Sequence, residues 1–309
     1  MGGEVPRYSE LINRPMDNTA LAMYMSCPRK FYYGMILNRR SEGAPTPALA
    51  YGSGWHVAME THYSAPMMAR EELYELVEER LADRWQVSSN PDDYLTFQRC
   101  MVEYDKYVST YGLPWQEEAK TVGWPDQPLV EIAVELPIPG ARHPYTGKID
   151  RIVQINGQYL VQDHKTASQM RADYFKQWHL DNQMIGYAAL AQQVTGLPIA
   201  GVNINLHVVR KSDSEFKRET PQFVESRIQD WHRNYDYWLA RIENDLLELD
   251  QGDAASAFPH NFAACAGKYG MCQYSTVCSM PPKARQASLE ADFTETPWNP
   301  LEAAEEGVE

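Results

Sequence analysis

The spacing of apolar residues predicts two amphipathic helices in the first third of the chain. Apolar residues three or four positions apart form one helical face in the first: Leu73, Leu76, Val77 and Leu81. The same spacing recurs in the second: Phe97, Met101, Tyr104 and Val108. Both stretches lie in a region of about 66–122, which we interpret as a helical insertion.

Later segments show either the two-residue alternation of strands or the three-to-four-residue spacing of helices. Residues 129–137 and 198–209 alternate apolar and polar side chains, which is typical of strands. Residues 172–195 and 221–249 are predicted to be helices, and the polar stretch 210–220 is predicted to be a loop. This order predicts an α/β fold in which a small mixed sheet is flanked by helices.

The stretch from Gly147 to Thr166, GKIDRIVQINGQYLVQDHKT, predicts a β-hairpin. Asn156-Gly157 between apolar runs is a strong signal for a two-residue type I′ turn, because both turn residues need a positive φ. In that register the numbers of paired residues sum to 313, so Asp150 faces Asp163. Two carboxylates opposite each other are destabilising unless a cation lies between them.

Lys165 follows Asp163 by two residues and therefore projects from the same face of its strand. Two carboxylates and a lysine on one face could form a site for metal-assisted hydrolysis. Charged residues on a hairpin more often form a solvated surface. Two observations disfavour that alternative here. The predicted register pairs like charges, and apolar residues flank the charged ones on both faces of the hairpin: Ile149, Ile152, Val153, Leu160 and Val161.

These residues resemble a known family. GKIDRI, the thirteen-residue step from Asp150 to Asp163, and DHKTA resemble motifs II and III of PD-(D/E)XK nucleases. The RecB-like branch is the most similar, with the AddB nuclease domain, the CRISPR-associated adaptation exonucleases and many phage exonucleases. Three further stretches resemble that branch's G-x-x-x-H, Q-x-x-x-Y and C-P-r-k-f-y-y motifs: Gly52 to His56, Gln183 to Tyr187, and Ser26 to Tyr33.

The resemblance covers roughly residues 20–280 and implies a restriction-endonuclease-like core with a Mg²⁺ or Mn²⁺ site. It implies that Asp150, Asp163, the side chain of His56 and the main-chain carbonyl of His164 are metal ligands. A nitrogen ligand favours Mn²⁺ more than an all-oxygen site does. The side chain of His164 is expected on the opposite face of the strand. A lone histidine on a helix is more often a core or surface residue, and only the G-x-x-x-H context favours a ligand.

The resemblance also implies roles for three further residues. Lys165 would orient a water molecule and stabilise developing negative charge. Gln183 and Tyr187, four residues apart on one helical face, would act at the active site and along the DNA. A polar pair at the rim of a helix is the alternative for these two.

Four cysteines resemble the iron–sulfur set of the same branch: Cys27, Cys265, Cys272 and Cys278. Five residues separate Cys272 from Cys278, as in the family, but six separate Cys265 from Cys272, where the family often has two. Four thiolates suit a 4Fe–4S cluster or a structural zinc equally in ligand type, and the resemblance favours iron. Cys100 is expected to be a buried helix residue.

The net charge of −14 argues against indiscriminate nucleic-acid binding. Residues 281–309 hold seven acidic and two basic residues, so we expect a loose acidic tail there, after a nuclease domain of residues 1–280. DNA binding would then need a local basic track. Two candidate clusters, either of which could be merely solvated, are Arg29, Lys30, Arg39 and Arg40, and Arg210, Lys211, Lys217 and Arg218.

Neither an apolar run of about 20 residues nor the apolar core of a signal peptide is evident, so we expect a cytoplasmic protein without membrane association. The leading hypothesis is a metal-dependent DNA exonuclease in recombination, repair or phage DNA processing. Its expected partners are single-stranded DNA or duplex ends, with an annealing recombinase or CRISPR adaptation proteins as further candidates. The competing hypothesis is a non-catalytic DNA-binding or interaction protein on a decayed nuclease fold.

Overall fold

The structure is a computed structural model that describes residues 16–41, 43–90, 92–137, 143–252, 254–267, 270–299 and 301. The α-helices of the described residues are α1 (Asn18–Ser26), α2 (Pro28–Phe31), α3 (Pro47–Ser64), α4 (Arg70–Arg84), α5 (Phe97–Tyr111), α6 (Asn182–Thr195), α7 (Glu225–Gln251), α8 (Ala254–Ala257), α9 (Ser275–Ser279) and α10 (Pro282–Asp292). Short π- or 3₁₀-helical segments are Tyr32–Ile36, Tyr174–His179 and Phe262–Ala264.

The strands of the described residues are β1 (Arg39–Ser41), β2 (Lys120–Thr121), β3 (Val130–Leu136), β4 (Tyr145–Ile155), β5 (Gln158–Ala167), β6 (Ile199–Val209), β7 (Ser214–Glu219), β8 (Ala266–Gly267), β9 (Gly270–Met271) and β10 (Phe293–Glu295). The main sheet has the order β2–β4–β5–β6–β7, and β3 also pairs with β4. Strands β5 and β6 are parallel, whereas β4–β5 and β6–β7 are antiparallel. The predicted mixed sheet with flanking helices is therefore confirmed.

Helix α6 is the crossover between the two parallel strands, as a parallel pair requires. Nearly every residue of β6 is buried, and β5 is buried over its central part. Strands that are covered on both faces lack the alternation of a half-exposed strand. β6 departs from this rule, because the polar residues that alternate along it, Asn203, Asn205 and His207, are also buried and pair with other polar side chains.

The hairpin at Asn156-Gly157 has the predicted loop and register. Asn156 has a φ of 48° and Gly157 a φ of 79°, which fits a type I′ turn. The paired residues run from Ile155–Gln158 to Arg151–Gln162. The ladder ends one pair before Asp150 and Asp163.

Contacts divide the chain into two compact units. The first comprises residues 1–43, 135–146 and 232–300, and it contains the four cysteines of the predicted cluster. Its β1 pairs with β10, and Tyr32 stacks on Phe258 at 5.3 Å between ring centroids.

The second unit comprises residues 44–134, 147–231 and 301–309, and it contains every residue of the predicted nuclease site. Buried side chains of α3, α4 and α5 form one hydrophobic cluster there. Helices α4 and α5 lie in the region 66–122, as the apolar spacing predicted. Helix α3 carries His56 and begins after Thr46, whose hydroxyl accepts a hydrogen bond from the Leu49 N–H at 3.3 Å.

Two predicted elements differ from the structure. Residues 210–220 were expected to be a loop, but β7 occupies Ser214–Glu219 and pairs with β6. Its sequence is polar because Arg218 contributes to a buried ion-pair network rather than to an apolar core. The single helix expected over 172–195 is instead a 3₁₀ segment followed by α6, which starts after Asp181 because that carboxylate accepts from the Met184 N–H at 3.0 Å.

The loose tail expected from residue 281 is wrong for its first part. Helix α10 and strand β10 occupy residues 282–295. Leu289 is buried, and Phe293 stacks on Tyr274 at 5.2 Å between ring centroids. These apolar contacts hold the segment against the rest of the first unit despite its polar composition. Residues 302–309 lie outside the described part of the chain. Among the described residues, no helix combines the length and apolar character that a bilayer span requires.

Candidate active site

Asp163 and Lys165 lie on one face of β5, as predicted. Lys165 Nζ is 3.0 Å from Asp163 Oδ2 and 3.2 Å from Asp163 Oδ1. Burial alone would lower the pKa of Lys165, but the charges of Asp163 and Asp150 hold this pKa above its usual value. The ammonium group is therefore a charged donor at neutral pH.

Asp150 reaches this face from the neighbouring strand, β4. Its Oδ2 accepts a hydrogen bond at 2.7 Å from the main-chain N–H of His164. The Asp150 carboxylate therefore binds a main-chain N–H of β5 just beyond Arg151–Gln162, the last residue pair of the β4–β5 ladder. The two strands thus diverge where the carboxylates project.

Burial raises the pKa of both aspartates to about 6, and Lys165 opposes that rise in each case. The charge of Asp150 further raises the pKa of Asp163, so the two carboxylates lie within electrostatic reach. Asp163 Oδ2 is buried and accepts no hydrogen bond from the described residues, although Lys165 lies nearby. A bound cation would satisfy this oxygen and relieve the repulsion.

Three ligand atoms converge beside Asp163. One atom each of His56, Glu131 and Asp150 lie within 4.8 Å of one another, as a shared metal ion would require. His56 Nδ1 is 3.5 Å from Asp150 Oδ2. Burial, followed by the charge of Lys165, lowers the pKa of His56 to about 4, so its ring is neutral and able to coordinate a metal.

Sequence reasoning missed Glu131. This residue lies in β3 with a φ of 49°, and its carboxylate is 3.0 Å from Lys148 Nζ. Burial and then the charge of Asp150 raise its pKa to about 8. In VEIAVEL, Glu131 and Glu135 alternate with apolar residues like solvent-facing positions of a strand, so the pattern gives no signal that one of them turns inward.

These residues fit a hard divalent cation. Asp150, Glu131 and Asp163 offer carboxylate oxygens and His56 offers a neutral nitrogen, a donor set suited to Mg²⁺ or, with its nitrogen, to Mn²⁺. Asp163 lies outside the 4.8 Å group, yet the pKa of Asp163 responds to the charges of both Asp150 and His56.

His164 turns its side chain to the opposite face of β5, as expected. Its Nδ1 is 2.9 Å from Asn205 Nδ2, and its ring stacks on Tyr63 at 5.7 Å. Its main chain lies on the acidic side, where it hydrogen-bonds both Asp150 and the ring of His56. Coordination through the His164 carbonyl remains a prediction.

Gln183 and Tyr187 continue the polar chain from Lys165. Lys165 Nζ donates to Gln183 Oε1 at 3.3 Å, and Gln183 Nε2 donates to the Tyr187 hydroxyl at 3.0 Å. Helix α6 approaches β4 closely at this point. A Cβ on Gly147 would lie 2.8 Å from a ring carbon of Tyr187, which explains the glycine in GKIDRI.

A buried ion-pair network lies on the other face of the sheet. Arg151, fully buried, is 3.1 Å from Glu117 Oε2 and donates to Gln162 Oε1 at 2.7 Å. Glu117 also pairs with Arg218. The network fixes β4, β5 and β7 behind the acidic residues.

The predicted basic clusters are largely engaged within the fold. In the second cluster, Arg218 belongs to the buried network, and Arg210 and Lys217 both pair with Glu215 at 2.5 and 3.3 Å. These three side chains therefore have partners within the protein, whereas Lys211 is exposed.

The first cluster is engaged in the same way. Arg29 is buried and donates to the Phe258 carbonyl at 2.7 Å. Arg39 pairs with Glu295 at 3.2 Å, and the Arg40 guanidinium lies 4.6 Å from the centroid of the Trp298 ring.

The four cysteines of the first unit lie near one another. The Asn261 N–H donates to Cys27 Sγ at 3.4 Å, and the Asn261 carbonyl accepts from Cys265 Sγ at 3.9 Å. The Cys272 N–H donates to the Cys265 carbonyl at 2.8 Å. Burial, then the charges of Cys272 and Cys27, raise the pKa of Cys278.

The cysteines are free thiols, and no three of these described sulfurs lie within 4.8 Å of one another. Cys100, in the second unit, is a buried residue of α5, as predicted.

The comparison with protein-family models agrees with the sequence resemblance at the level of the superfamily. A family model described as the PD-(D/E)XK nuclease superfamily matches residues 18–279. A solved structure titled "Crystal structure of SSO0001" is 13% identical, with 64% of this chain and 77% of that chain covered and a TM-score of 0.27, too low to support an argument. No curated protein matches the chain. Because the family model spans most of its length, the chain belongs to the PD-(D/E)XK nuclease superfamily.

Proposed function

We propose that this protein is a metal-dependent deoxyribonuclease that hydrolyses phosphodiester bonds at Asp150, Asp163 and Lys165. The observation that carries the proposal is the contact between Lys165 Nζ and Asp163 Oδ2 at 3.0 Å, with Asp150 held beside them. A structural ion pair alone would not need a second buried carboxylate on the same face. The catalytic hypothesis is supported over the non-catalytic one by the connected contacts of the predicted side chains, which are His56 with Asp150, Asp163 with Lys165, Lys165 with Gln183, and Gln183 with Tyr187.

Mg²⁺ or Mn²⁺ would be held by Asp150, Asp163, Glu131 and His56, together with the His164 carbonyl. Such a cation would neutralise charge on a phosphate oxygen and acidify a water molecule. Side chains of the protein would supply the remaining interactions with the substrate. Lys165, charged at neutral pH, donates to the phosphate as negative charge develops there.

Gln183 orients Lys165, because its Oε1 accepts from the ammonium group while its own amide donates to Tyr187. Tyr187 in turn is positioned by the close packing of α6 against Gly147. We assign both residues to the support of Lys165 and to contact with the DNA strand.

The resemblance to the RecB-like branch supports an exonuclease in recombination, repair or phage DNA processing. Digestion of linear and closed circular DNA of one sequence tests this assignment. With Mg²⁺ or Mn²⁺, we expect end-labelled linear DNA to be shortened and circular DNA to persist. Linearisation of the circle would show an endonuclease, and the absence of cleavage under all these conditions would refute the nuclease itself.

We further propose that Cys27, Cys265, Cys272 and Cys278 hold a 4Fe–4S cluster with a structural role. Their proximity supports one shared metal centre, and the resemblance to the iron–sulfur nucleases of the RecB-like branch favours iron over zinc. The ligands come from both ends of the first unit's sequence, so binding would couple to its folding.

A further inference from the structure

Three aromatic rings lie on a short segment beside the proposed catalytic lysine. The 3₁₀ segment Tyr174–His179 has the sequence YFKQWH, and none of its residues is buried. The Trp178 ring centroid lies 5.7 Å from Lys165 Nζ. Tyr174 is close as well, since burial and then the charges of Lys165 and Asp163 shift its pKa. These rings, Tyr174, Phe175 and Trp178, are called the aromatic triad below.

The rings of the aromatic triad are only partly buried and contact one another edge-on. Tyr174 meets Phe175 and Trp178 edge-on, at 5.5 and 5.9 Å between centroids and angles of 84° and 66°. No two of the three rings stack face to face. The indole N–H of Trp178 has no hydrogen-bond partner among the described residues, which is unusual because a buried tryptophan N–H generally has one.

A cationic side chain lies between these rings. Lys176 is exposed within the segment, and Arg171, which is 3.5 Å from Asp173, precedes it. Aromatic rings with adjacent cations bind single-stranded nucleic acid, because each unpaired base offers a π-face and each phosphate a negative charge. In a duplex those faces are covered by neighbouring bases.

We propose that the aromatic triad stacks the unpaired bases next to the scissile phosphate, so that the substrate is single-stranded DNA or a frayed end. This inference rests on the proposed nuclease function and names its substrate class. The position of Trp178 beside Lys165 places the stacked base adjacent to the phosphate on which Lys165 acts.

The test compares Trp178→Leu, which keeps an apolar side chain without a ring, with Trp178→Phe, which restores a ring. Gln177→Leu, at an exposed position of the same turn, is the matched control. Affinities are measured by fluorescence anisotropy in EDTA with a labelled oligothymidylate and a blunt hairpin duplex. We expect Trp178→Leu to weaken single-strand binding about tenfold, Trp178→Phe to recover most of it, and both to bind the duplex as wild type does.

The KM for single-stranded DNA should rise by the same factor in Trp178→Leu, with little change in kcat at saturation. The inference is overturned if Trp178→Leu binds the single strand as wild type does, or if its affinities for the single strand and the duplex fall by the same factor. If wild type cleaves no DNA while Trp178→Leu still loses single-strand affinity, the proposed hydrolysis fails and the stacking site stands. Should Trp178→Leu fold poorly, Tyr174→Leu is measured in the same way, with the same expected loss.

Discussion

The main-chain N–H of His164 donates to Asp150 Oδ2 at 2.7 Å, so a side chain of β4 is fixed by the strand that carries Asp163 and Lys165. The hydrogen bond sets the position of one carboxylate relative to the other. It also explains why the β4–β5 ladder ends at Arg151–Gln162.

Asp150→Asn is expected to raise the stability of the metal-free protein at pH 7 and to remove its stabilisation by Mn²⁺. The pKa of Asp150 is raised to about 6 by burial, so the folded state binds this proton more tightly than the unfolded state does. The resulting stability is present below pH 4 and is lost as pH rises through about 6, a difference of up to about 3 kcal/mol. Asparagine keeps the acceptor for His164 but carries no charge.

Urea unfolding of metal-free wild type and Asp150→Asn between pH 4 and pH 8 measures this effect. Wild type should lose stability across the range relative to the variant, and Mn²⁺ should restore it only in wild type. Parallel pH profiles for the two proteins, or equal stabilisation by Mn²⁺, would show that Asp150 is not a buried ligand.

Glu131→Gln is expected to weaken Mn²⁺ binding by about 10- to 100-fold, the range found when groups that bind or orient a metal are removed. The reason is that the Glu131 carboxylate lies within 4.8 Å of ligand atoms of His56 and Asp150. Glu135→Gln, at an exposed position of the same strand, is the matched control and should bind as wild type does. Calorimetric titration of both variants decides the point, and equal affinities would exclude Glu131 from the site.

Glu117→Ala is expected to destabilise the protein by about 3–5 kcal/mol, because it leaves the buried guanidinium group of Arg151 without its counter-charge. Glu117 pairs with Arg151, which is fully buried, and with Arg218. Glu118→Ala, at the adjacent exposed position, is the control. Denaturant unfolding provides the measurement, and a loss below about 1 kcal/mol would show that the network contributes little.

Cys27→Ala is expected to lose the cluster and to lower the thermal midpoint, with nuclease activity falling only as the protein unfolds. Anaerobically purified wild type should be brown and contain about four irons per chain. Cys100→Ala should keep its iron, because Cys100 is a buried helix residue outside the set. Stoichiometric zinc without iron would refute the cluster while leaving a metal scaffold in place.

The hairpin could be predicted from sequence because its signal is local. Asn156-Gly157 determines the turn, the turn determines the register, and alternation places Asp163 and Lys165 on one face. Glu131 could not be found in this way, since its inward direction depends on a local φ of 49° and on tertiary contact with Lys148. Strand β7 was missed because it is a polar edge strand whose Arg218 pairs with the buried Glu117, which no hydrophobic period reveals.

Single-turnover cleavage of end-labelled single-stranded DNA by wild type, Asp163→Asn and Lys165→Ala, with and without Mn²⁺, tests the central claim most directly. Each variant is first shown to be folded by circular dichroism. We expect wild type to cleave only with Mn²⁺, and both variants to be slower by at least about 100-fold, since each lacks a ligand or the stabilising charge. Cleavage at the wild-type rate by a folded variant, or undiminished cleavage in EDTA, would contradict the assignment of this site.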